Sequence, residues 1–189
     1  MTFDADDVVA ALSDAGVRVD RPLTEADVKR IEKKYGFTFG EFHRALLRTG
    51  LPVGDAWINW RHATPAMVRQ RLDAPVEGVV FDVHNNGFWP ASWGPRPRDP
   101  KAAETVAREY LADVQVLIPL YGHRYVPASP FTGSEPVLSV HQTDVIHYGG
   151  DLLDYISREF GRNEQPPTAD HAHIPFWSDL ALGAENEDL

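Results

Sequence analysis

Through the first fifty positions, apolar residues return at three- and four-residue intervals. Val8, Val9 and Leu12 form a short stripe; Val28, Ile31 and Tyr35 share a second face; Phe42, Ala45 and Leu46 share a third. That period predicts three short amphipathic helices, and each has start or stop chemistry. Asp4 is a candidate N-cap, with Asp7 at N3, Phe3 and Val8 bracketing it as a staple, and Gly16 closing the end. Thr24 repeats the logic with Asp27 at N3, Leu23 and Val28 as bracket, and Gly36 as stop. The third helix runs from about 41 to 48 and ends at Gly50.

The texture then changes. Residues 56–60, Ala-Trp-Ile-Asn-Trp, read as a short strand. Thr64-Pro65 is a cap followed by proline at the first helical position, opening a helix through Met67, Val68, Arg71 and Leu72. The run 78–83, Gly-Val-Val-Phe-Asp-Val, is strand-like, and 90–99 is too rich in proline for regular structure. Asp99-Pro100 opens a further helix with Ala103, Val106, Ala107, Tyr110 and Leu111 on one side. Strand signals follow in quick succession at 114–120, 123–126, 136–140 and 143–148, with turns near Gly133 and Gln142. Asp151 caps a last helix that turns Leu152, Leu153, Ile156 and Phe160 inward. Helices first and strands later, without β-α-β-α alternation, predict an α+β fold. Its sheet would be mixed, mainly antiparallel, and covered by helices in one domain. Beyond Gly161 the chain becomes polar and Pro166-Pro167 stiffens it. Ile174-Pro175-Phe176-Trp177 is too apolar for a free tail and is expected to dock, on this domain or on a neighbouring chain. The division is therefore a helical extension at 1–20, the α+β domain at 21–161, and a partly docked acidic tail at 162–189.

Of the 189 residues, 43% are hydrophobic, which suits one sizeable core. The net charge of −10 sits at the ends: residues 1–20 carry −4, residues 163–189 carry −6, and the middle balances 17 acids against 17 bases. Such ends serve solubility or steer a basic partner, and they repel nucleic acid. The chain has no cysteine, which excludes disulfides, thiolate catalysis and cysteine-ligated metals. No apolar run approaches membrane-spanning length, so a cytoplasmic protein without membrane contact is expected.

No reactive constellation stands out. Gly-x-x-x-x-Gly-Lys and Gly-x-Gly-x-x-Gly phosphate loops are missing, and Ser139 lacks a Gly-x-Ser-x-Gly context. His171-Ala-His173 could chelate on a strand, but the sequence indicates no third ligand, so no metal and no cofactor are expected. Asp82 and His84 would be neighbours on one strand face and read more simply as a hydrogen-bonded pair than as an acid/base couple. Gly122-His123-Arg124-Tyr125 sets a cation between aromatics, either as an ion pair or as an anion or partner contact.

What does stand out is aromatic. Four of the five tryptophans lie between Trp57 and Trp93, interleaved with glycine and proline. Rigid aromatics on stiff turns serve as packing or as anchors for a partner. The run from Phe81 to Pro97, the segment Val116 to Pro127, and the segment Pro136 to Gly149 with the helix after it together resemble the SUKH superfamily. The opening from Leu23 to Leu47 is similar to its first helices. The resemblance covers about residues 21–161 and leaves the first helix and the acidic tail outside. That group includes cell-wall-synthesis regulators of the Smi/Knr type and many bacterial immunity proteins. It implies an α+β fold and a protein-binding role without catalytic residues, in bacteria the neutralising of toxins by direct contact. Trp57, Trp60, Trp89, Trp93, Arg96, His123, Arg124, Tyr125 and Asp144 are the candidate contacts. A housekeeping regulator or scaffold, and a small-molecule binder or enzyme using the aromatic loop, are the alternatives.

Overall fold

The computed structural model describes residues 4–161, 172–183 and 189. The Phe3 staple, Pro166-Pro167 and His171 lie outside them. Helix α1 (Ala5–Asp14) starts where the Asp4 side chain accepts from the Asp6 N–H at 2.9 Å. Helix α2 (Glu25–Tyr35) opens on a capping box between Thr24 and Asp27 and ends on Gly36 in the left-handed region. Helix α3 (Glu41–Thr49) has no cap of its own at Gly40. Strand β1 (Arg18–Asp20) pairs antiparallel with β2 (Leu51–Val53) as a small two-stranded sheet. The strand expected at 56–60 does not form. That segment is a turn region in which Trp57 makes one isolated bridge to Tyr121.

The larger correction concerns 78–83. Those residues are the second half of helix α4 (Pro65–Asn85), which begins at the Thr64 cap. Val79, Val80 and Val83 fit a helical face as well as a strand, and here they bury with Val68 and Pro75 along one long element. Tertiary packing outweighs the β preference of valine. Pro75 works against such a helix, because it offers no N–H to the carbonyl of Arg71. The Tyr125 hydroxyl supplies that missing donor at 3.2 Å.

After a single 3-10 turn (Ala91–Trp93), helix α5 (Pro100–Leu111) starts at Asp99, whose carboxylate accepts from the Ala102 N–H at 2.9 Å. Four strands then form an antiparallel sheet in chain order: β3 (Leu117–Tyr121), β4 (Arg124–Pro127), β5 (Val137–His141) and β6 (Asp144–Gly149). Helices α6 (Leu152–Glu159) and α7 (Trp177–Ala181) complete the described residues. The architecture is α+β, with helices on both faces of the larger sheet. Alternation along the strands divides the core. Ile118, Leu120, Val126 and Val137 pack with α1, α2, α3 and α6. Leu117, Tyr125, Leu138, Val140 and Val145 pack with α4, α5 and α7. Ile174 and Trp177 are fully buried in this second core.

Candidate functional site

The β5–β6 hairpin is held from behind by helix α4. Asp82, buried beneath it, accepts from the Thr143 N–H at 2.9 Å and the Thr143 hydroxyl at 2.6 Å. Gly78 lies so close that a Cβ there would stand 2.8 Å from the Gln142 Cα. Gln142 itself takes a φ of 59° in the two-residue turn. The register then lines up Tyr121, Arg124, Ser139 and Ile146 as one row across the sheet. Asp144 faces His141 across the hairpin.

Arg124 is the centre of this row. Its Nη1 donates to Ser139 Oγ at 3.0 Å, its Nη2 lies 3.3 Å from Glu159 Oε2 on α6, and its guanidinium stacks 3.9 Å from the Tyr148 ring centroid. Nη1 also touches His123 Nε2, while Nε is buried without a partner. The side chain is 11% exposed, so these contacts are only weakly screened. Burial, reinforced by the Arg124 cation, holds His123 below the ordinary histidine value. Behind Arg124, the Tyr155 hydroxyl is buried without a partner, and burial followed by the Glu159 charge pushes it well above the usual tyrosine range. Trp57, Tyr121 and Phe160 close the inner end as mutually packed rings, with Trp57 and Tyr121 centred 5.0 Å apart.

The nine candidate contacts do not converge. His123, Arg124 and Asp144 lie at the hairpin end of the larger sheet. Trp57 and Trp60 are buried in the first core, Trp93 and Tyr125 in the second. Trp89 is half-buried, donates its indole N–H to Gly94 O at 2.8 Å, and carries Arg96 over its ring. Arg96 in turn donates to the Val83 carbonyl, satisfying the last turn of α4. Asp82 and His84 sit on this helix rather than on a strand, and they part company: Asp82 holds the hairpin, while His84 lies 3.1 Å from Glu104 of α5.

Two important groups have weak sequence signals. Glu135 is buried and caps α3 from a distant loop, accepting from the Phe42 N–H at 2.9 Å and the His43 N–H at 3.1 Å. A Cβ at Gly40 would collide with its carboxylate. The only sequence hint is a helix that starts after glycine with no cap. Burial pushes the Glu135 carboxyl up against the opposing pull of those two N–H groups. His43, wholly buried with Nδ1 unpartnered, is pushed down to about 3 by burial.

Among the described residues, no group of three or more His, Asp or Glu side chains could hold a metal, and no helix is long and apolar enough to cross a membrane. A cleft of 330 Å³ runs between α4 and the start of β3, walled largely by Tyr35, Leu72, Val76, Val116 and Trp177. The chain matches no protein-family model, no curated protein and no solved structure.

Proposed function

We propose that this chain is a non-enzymatic, cytoplasmic protein-binding module of SUKH type, acting as an immunity protein that neutralises a toxin by direct contact. One observation carries the reading: the β5–β6 hairpin is pinned from behind by Asp82, yet its front is open. Ile146 is 51% exposed there, with His123, His141 and Asp144 exposed around it. A mixed apolar and polar patch on a backbone held from behind loses little entropy on binding. Burial of Trp57, Trp60 and Trp93 argues against an aromatic-loop site for a small molecule. Asp6, Asp7 and Asp14 are exposed on α1 and add a long-range pull on a basic partner.

The test is co-expression with the toxin encoded by a neighbouring reading frame, comparing the parent chain with Ile146→Asp and Asp144→Lys. Each variant should weaken binding by about tenfold or more and lose protection while keeping its melting temperature. Undiminished protection by both variants would refute the assigned surface. Capture of cellular proteins in place of a toxin would move the role to the cell-wall-regulator type.

A further inference from the structure

The Arg124 end of the sheet gathers four basic side chains. His123 and Arg124 are adjacent in chain and touch through Nε2 and Nη1. His141 stands two residues beyond Ser139 on the same face of β5, and the Val140 N–H between them donates to the His123 carbonyl at 3.0 Å. Arg71 reaches round from α4 to donate to the Gly122 carbonyl, and it forms no ion pair among the described residues. Against these four groups stand Glu159, engaged with Arg124, and Asp144, which faces His141 across the hairpin without an ion pair to it. Arg71, Arg124 and His141 all act on His123 in the sense of resisting its protonation, and Glu159 in the opposite sense. The exposed His123 and His141 rings beside the Arg124 guanidinium offer several N–H donors to one anion.

We propose that this end of the sheet is a phosphate-binding site, the anion seated between the exposed His123 and His141 rings with Arg124 beneath. The ligand class is a small phosphorylated molecule or inorganic phosphate, which presents enough acceptor oxygens for both rings and leaves the Arg124–Glu159 contact in place. The site does not depend on the protein-binding role, because the readout below uses the isolated chain.

The experiment is a titration of the full chain with inorganic phosphate, followed through the histidine ring resonances, with sodium chloride at matched ionic strength as one arm and acetate as another. Phosphate should shift His123 and His141 together and saturably and raise the His123 titration midpoint. His123→Gln and His141→Gln, both at exposed positions, should each weaken phosphate binding by about tenfold, the scale of one charge-assisted contact. Equal shifts with chloride, or phosphate affinity unchanged in both variants, would overturn the site. Acetate binding as tightly as phosphate would overturn the ligand class. A phosphorylated metabolite added in place of phosphate separates the two sources: displacement of phosphate by it identifies the ester as the tighter ligand, while no displacement restricts the site to the free anion.

Discussion

His43 couples the fold to pH through a single buried ring. Its folded-state value, about 3, lies far below the ordinary 6.5, because the interior disfavours the imidazolium. A depressed histidine contributes stability that is fully present above 6.5 and is lost as pH falls from there toward its folded value. At pH 4.5 the loss from this residue alone should be on the order of 2–3 kcal/mol. His43→Leu should therefore flatten the dependence of the melting temperature on pH between 7 and 4.5. A variant with the same slope as the parent would place the acid sensitivity elsewhere. Glu135 is the companion case. Glu135→Ala leaves the Phe42 and His43 N–H groups of α3 without acceptors and should cost about 2 kcal/mol in chemical denaturation. Glu135→Gln retains an acceptor and should cost less.

At the scale of elements, α4 is the piece on which the site depends. It survives Pro75 because Tyr125 donates to the stranded Arg71 carbonyl, and it grips the hairpin because Gly78 permits close approach. Tyr125→Phe keeps the ring but removes the donor, and should lower stability by about 1 kcal/mol. Gly78→Ala should cost more and disturb the Gln142 turn, visible as faster amide exchange at Thr143. Caps, stops and the four-strand succession were legible in sequence because Thr24-Asp27, Thr64-Pro65, Asp99-Pro100 and Asp151 act within a few residues of the helices they start. The 78–83 segment was misread because valine pairs satisfy two periods and only Tyr125 and Thr143, about fifty and sixty residues away, decide between them. The row Tyr121–Arg124–Ser139–Ile146 was half legible. His123 and Arg124 signal themselves by their flanking aromatics, whereas Ser139, His141 and Glu159 join only once register and the α6 contact are set.

At the scale of the whole molecule, one sheet divides two cores, and the second core depends on the far end of the chain. Trp177 is 1% exposed, donates its indole N–H to the Gln115 carbonyl at 2.8 Å, and packs with Ile174 and Leu180 against the sheet face that carries Leu117, Tyr125 and Leu138. The apolar run 174–177 already signalled docking from sequence, but nothing local could say on which face. Removing Trp177 alone by substitution to alanine should cost about 3–5 kcal/mol. Deleting residues 162–189 would strip all three side chains from the sheet at once. The truncated chain should then melt far lower, bind a hydrophobic dye, and lose amide protection first in β3, β4 and β5, while α1, α2 and α3 keep theirs longest. The asymmetry matters for function, because the Asp82–Thr143 clamp and the Tyr125–Arg71 contact both belong to the side that loosens. A truncated chain that melts with the parent and keeps the hairpin protected would mean that the α4 side needs no help from the terminal segment.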